Sequence, residues 1–117
     1  MEYLKISTAL LIASFSILQI TLATKAETYY HSGDLRITLD QNLQEGRTYK
    51  GCDSKRNCIY LTNGTSWRDR GYRGITWENK RYSYSVFWQE KTNSSTYLKV
   101  FDPNGRLILY KILDQSN

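Results

Sequence analysis

Between Trp67 and Arg81 the chain reads Trp67-Arg68-Asp69-Arg70-Gly71-Tyr72-Arg73-Gly74-Ile75-Thr76-Trp77-Glu78-Asn79-Lys80-Arg81. It is the densest run of chemically capable side chains in the sequence. Guanidinium forks hold carboxylate, sulfate or phosphate through paired hydrogen bonds. Aromatic rings offer flat apolar faces on which a sugar ring can stack. Gly71 and Gly74 either let a ligand come close to the backbone or supply a turn with positive φ. One reading therefore takes Trp67, Arg68, Arg70, Tyr72, Arg73 and Trp77 as a surface for an anionic or saccharide partner. The other makes Trp77 a core residue, pairs Asp69 with a neighbouring arginine and leaves the glycines as turn residues.

The same segment is a poor source of catalysis. Asp69 and Glu78 are the only carboxylates in it that could act as a glycosidase pair. Each has arginines nearby, which favours ion pairing over proton donation. A serine–histidine arrangement would have to use His31, the single histidine, which lies close to the start of the expected mature chain. There is no phosphate-binding loop and no dinucleotide fingerprint. With one histidine and two cysteines, a metal site is a poor fit, since zinc usually takes four ligands. The expectation is a non-enzyme without cofactor or metal.

Residues 1–26 resemble a secretory leader. Lys5 precedes an apolar stretch from Leu10 to Leu22, and Thr24-Lys25-Ala26 carries small residues where a signal peptidase reads. Ser14, Ser16, Gln19 and Thr21 interrupt the stretch, whereas a spanning helix needs about 20 predominantly apolar residues. Cleavage before Glu27 would leave residues 27–117 as one small domain, secreted or periplasmic and not inserted in the membrane; the alternative is that the segment is retained as an N-terminal membrane anchor. Losing Lys5, Lys25 and Glu2 lowers the net charge of +5 by one. The remaining basic excess favours an envelope glycan or an acidic protein as partner. Export and so mild a charge argue against nucleic acid.

Export also decides the chemistry of Cys52 and Cys58, which an oxidising compartment would join. The intervening Asp53-Ser54-Lys55-Arg56-Asn57 is polar and turn-like, so the bridge would clasp a hairpin neck. Closing so short a loop is worth on the order of 2–3 kcal/mol. Asn63-Gly64-Thr65 and Asn93-Ser94-Ser95 match the glycosylation sequon in predicted turns.

The elements that must carry these residues are strands. The region is rich in Tyr, Trp, Thr, Val and Ile, with turn residues at short intervals. Leu35, Ile37 and Leu39 alternate with polar residues. In the clearest strand, Tyr82, Tyr84, Val86 and Trp88 share one face, while Ser83, Ser85, Phe87 and Gln89 share the other. Asp102-Pro103-Asn104-Gly105 suits a hairpin turn between Thr96–Phe101 and Leu107–Leu113. Arms flanking the cysteine loop and a strand around Ile75–Glu78 bring the count to six or seven. The expected fold is all-β: a small antiparallel meander, barrel-like or a curled sheet, with one disulfide and a frayed tail from Asp114 to Asn117.

Gly51-Cys52-Asp53, Cys58-Ile59-Tyr60-Leu61 and the run Gly64-Thr65-Ser66-Trp67-Arg68-Asp69-Arg70-Gly71-Tyr72-Arg73-Gly74-Ile75-Thr76-Trp77 resemble short exported proteins of unknown function of cyanobacterial type. That resemblance implies no activity. In architecture the chain is similar to the small periplasmic β-barrel inhibitors of C-type lysozyme, although no residues match their inhibitory loop. The expected function is a small exported non-catalytic β domain that binds an anionic or saccharide partner at the cell envelope. Alternatives are an inhibitor of an envelope-active hydrolase, such as a lysozyme or protease, and a structural envelope protein. In the inhibitor, Lys55 and Arg56 would tip the inserted loop.

Overall fold

A computed structural model describes residues 27–116, so the expected leader lies outside the described residues. Among the described residues there are nine antiparallel strands: β1 (Thr28–Ser32), β2 (Leu35–Asn42), β3 (Gly46–Cys52), β4 (Cys58–Leu61), β5 (Thr65–Asp69), β6 (Tyr72–Asn79), β7 (Tyr82–Gln89), β8 (Thr96–Phe101) and β9 (Leu107–Ser116). Their hydrogen-bonded order is β4-β3-β2-β1-β9-β8-β7-β6-β5. Two meanders are thus joined where β1 meets β9, through Tyr29 opposite Ser116, Tyr30 opposite Gln115 and His31 opposite Asp114.

The expectation of six or seven strands is corrected to nine. The additional ones are β1 and β5. In β5 only Trp67 is apolar, so Thr-Ser-Trp-Arg-Asp shows little alternation of hydrophobicity; it is a strand because β6 supplies a full ladder from Thr65 opposite Thr76 to Asp69 opposite Tyr72. The frayed tail is corrected as well, because pairing with β1 carries β9 to Ser116. His31 is held in that seam, with its Nδ1 hydrogen-bonded to Ser116 Oγ at 2.6 Å.

The sheet curls into a half-barrel. Six strand steps separate β3 from β6, which in a flat sheet would be about 29 Å. Yet Tyr49 on β3 and Trp77 on β6 have ring centroids 5.3 Å apart. The inner face buries Ile37, Tyr49 and Leu61 from the first meander against Trp77, Val86, Leu98, Val100 and Leu113 from the second. Each meander thus supplies one wall of a single core. The link from β4 to β5 fastens the curl, with Asn63 N–H donating to Glu45 O at 2.8 Å and Gly64 N–H to Arg47 O at 2.9 Å. Trp77 Nε1–H donates to the same Arg47 carbonyl at 2.9 Å.

Cys52 and Cys58 are disulfide-bonded across the β3–β4 hairpin. The five-residue turn they enclose repeats at β8–β9. In each an aspartate N–H bonds to the carbonyl four residues on, from Asp53 to Asn57 and from Asp102 to Arg106. In each the carboxylate gathers the N–H groups two and four residues on, 2.9 Å away in all four cases. These bonds, led by the backbone N–H of Asn57 and of Arg106, lower the pKa of both aspartates. The fourth residue is left-handed in both turns: Gly105 at φ 80° and Arg56 at φ 64°.

Candidate functional site

The outer face of the second meander holds the candidate site, and strand pairing explains its layout. One row crosses five strands as Trp67, Gly74, Phe87, Tyr97 and Ile112. The next row runs Thr65, Thr76, Ser85, Lys99 and Tyr110. In the first row Gly74 leaves a gap between two aromatic residues. The Trp67 indole lies across it, so a Cβ at Gly74 would collide with the indole and with Phe87 Cβ. The indole N–H donates to Thr76 Oγ1 at 3.0 Å, and that hydroxyl is bonded to Ser85 Oγ at 2.7 Å. Trp67 is thereby pinned with one ring face against the sheet, while its side chain remains partly open to solvent.

Beyond Trp67 the rings are arranged differently. Phe87 and Tyr97 stack with centroids 5.3 Å apart, and Tyr97 and Tyr110 with centroids 6.1 Å apart. Tyr72 meets Phe87 edge-on at 6.1 Å, and its hydroxyl accepts from Gln89 Nε2 at 3.2 Å. Lys99 Nζ lies 5.5 Å from the Phe87 centroid and 5.7 Å from that of Tyr110. The described residues give Lys99 no carboxylate within ion-pair reach.

Two adjoining grooves follow from this relief. The larger, about 460 Å³, runs from Trp67, Asp69 and Arg70 past Tyr72 and Phe87 to Ser85, Lys99 and Phe101. The other, about 400 Å³, shares Tyr72, Phe87 and Lys99 and continues to Tyr97, Leu107 and Tyr110. Lys99 is the charged residue common to both. The hairpin turn of Arg70 (φ 50°) and Gly71 (φ 84°) holds Arg70 at one end, with both central residues at the positive φ of a type I′ turn. Its guanidinium Nε is 3.8 Å from Asp69 Oδ1, and both side chains are exposed.

Strand alternation divides the six residues singled out in the sequence. Trp67, Arg70 and Tyr72 come together in the larger groove. Trp77 is only 1% exposed and sits in the core, so it presents no surface to a ligand. Arg68 and Arg73 stand opposite each other on the face that carries Trp77. Arg68 Nη2 pairs with Glu90 Oε2 at 2.8 Å. Phe87, Ser85, Lys99 and Phe101 come from strands distant in sequence and complete the groove. The alternation of β7 placed Phe87 opposite Val86 in the sequence; no local pattern placed it beside Trp67.

Asp69 and Glu78 do not meet. Asp69 is opposite Tyr72, and Glu78 lies six residues further along β6, roughly 20 Å at strand rise. Glycosidase carboxylates stand about 5–9.5 Å apart. Among the described residues no three His, Cys, Asp or Glu side chains gather as a metal site would need, and no helix is long and apolar enough to cross a membrane. His31 and Ser116 line neither groove. No family model, curated protein or solved structure matches this chain.

Proposed function

We propose that this chain is a small exported, non-catalytic β domain that binds a saccharide or anionic partner at the cell envelope, secreted or periplasmic after loss of residues 1–26. The disulfide between Cys52 and Cys58 supports export, since such bonds persist in oxidising compartments. The observation that carries the binding reading is the groove in which a pinned, partly open Trp67 faces the same space as Arg70 and Lys99. An indole fixed before binding loses little conformational freedom on contact, which favours affinity. Saccharides present both an apolar C–H face and hydroxyls, and the groove offers an aromatic plane beside Ser85 and Asp69.

A glycan array read with the purified domain tests this, backed by tryptophan fluorescence titration. Wild type should bind, Trp67→Ala and Arg70→Ala should lose binding, and Arg73→Ala should keep it. Binding lost in Arg73→Ala but kept in Arg70→Ala would remove the groove from consideration.

A second reading, an inhibitor of an envelope-active hydrolase, is favoured by the Asp53–Asn57 turn. There the disulfide and the Asp53 carboxylate hold a loop whose Lys55 and Arg56 are exposed. Micromolar domain that leaves lysozymes and trypsin-like proteases at full activity would set that reading aside.

A further inference from the structure

We infer that the ligand of the outer groove is an acid-bearing saccharide, with its sugar ring on Trp67 and its carboxylate or sulfate on Lys99; this rests on the binding reading above. Lys99 is half-buried as a residue, and its ammonium lies at cation–π distance from Phe87 and Tyr110. Such contacts compensate a cation only in part, and no carboxylate of the described residues comes within 4.0 Å to complete the pairing. Arg70 closes the far end of the groove with a second cation, partly offset by Asp69.

The geometry joins the two halves of the ligand. Trp67 and Lys99 are both close to Phe87, with the indole centroid 6.2 Å and the ammonium 5.5 Å from its ring centre. A sugar stacked on Trp67 therefore has its substituents, or those of the adjoining sugar, within reach of Lys99. A neutral sugar would use the stacking plane and leave Lys99 unpaired. A simple inorganic anion would use Lys99 and leave the plane empty.

The test is calorimetric titration of the mature domain with four probes: hexagalacturonate, its fully methyl-esterified form, a κ-carrageenan hexasaccharide and inorganic sulfate. The two acidic hexasaccharides distinguish carboxylate from sulfate as the acid. At least one should bind about tenfold or more tightly than the methyl ester, and binding should weaken as salt is raised. Lys99→Met should remove the preference for acid and Lys99→Arg should restore most of it, while Trp67→Ala should weaken acidic and neutral chains alike. The esterified and salt arms use wild-type protein, so the answer does not depend on how the variants fold. Equal binding of acidic and esterified chains would overturn this inference and leave the saccharide reading standing. Sulfate binding as tightly as either hexasaccharide would overturn it by making the sugar irrelevant. Binding of none of the probes, or self-association that shields Trp67 and blocks them, would overturn it too. A blank glycan array would remove the binding reading beneath it.

Discussion

Trp67 and Trp77 lie on neighbouring strands, and each donates its indole N–H to a fixed acceptor, yet they serve opposite faces of the sheet. Trp77 is closed in by the curl, 1% exposed and close to Tyr49. Trp67 covers the gap at Gly74 and keeps part of its ring open. The inner face is filled from both meanders, and no buried side-chain polar atom among the described residues lacks a partner. The outer face carries the two grooves beside Lys99, whose ammonium has no carboxylate within ion-pair reach among the described residues. A tryptophan thus becomes part of the core or of a surface according to which side of the sheet its strand position faces.

Replacing the two tryptophans breaks this contrast most directly. Trp77→Ala should cost about 3–5 kcal/mol of stability, through the cavity left against Tyr49 and the loss of the bond to Arg47 O. Trp67→Ala should cost about 1 kcal/mol while abolishing the fluorescence response to ligand. Urea unfolding with the disulfide intact measures both, and equal losses would erase the distinction between faces.

Gly74→Ala sharpens the same contrast. Its Cβ must displace the Trp67 indole, which we expect to cost about 1–3 kcal/mol and to weaken ligand binding although no ligand-facing side chain is removed. Unchanged near-ultraviolet circular dichroism and unchanged binding would show that the indole does not depend on the gap.

The turns belong to neither face, so their acid response should be indifferent to it. Asp53 and Asp102 have folded pKa values below the ordinary carboxylate value of about 3.9. Their contribution is therefore present above that value and is lost as pH falls through the lower folded ones. Thermal unfolding should show stability falling below about pH 4, with a shallower fall in Asp102→Asn. The slope should be the same in Trp67→Ala as in wild type. The smallest effect is expected at Ile112, which is 53% exposed. Ile112→Thr should move stability by no more than about 0.5 kcal/mol, whereas its neighbour Leu113, at 4%, should cost about 2–5 kcal/mol when cut to alanine.

Local chemistry made much of this legible in the sequence. Period-two alternation over Tyr82–Gln89 assigned Val86 and Phe87 to opposite sides, because successive side chains on a pleated strand must point apart. Asp102-Pro103-Asn104-Gly105 marked its turn, since each residue suits a particular backbone angle. Two cysteines around a short polar loop marked their bridge. β5 escaped notice because Thr-Ser-Trp-Arg-Asp has no pattern of its own, and its strand character comes from β6.

The joining of β1 to β9, the curl and the composition of the groove arise only in the folded molecule. These depend on contacts between residues far apart in the chain, which carry no local mark. The period of two separates Trp67 from Trp77 only after the turn at Arg70 and Gly71 sets the register of two strands. The set Trp67, Phe87 and Lys99 exists because four strands, β5 to β8, align their rows. Residue types and their local spacing set which side chains could stack, pair and turn; the closure of two meanders around one core set which of them remain at the surface to do so.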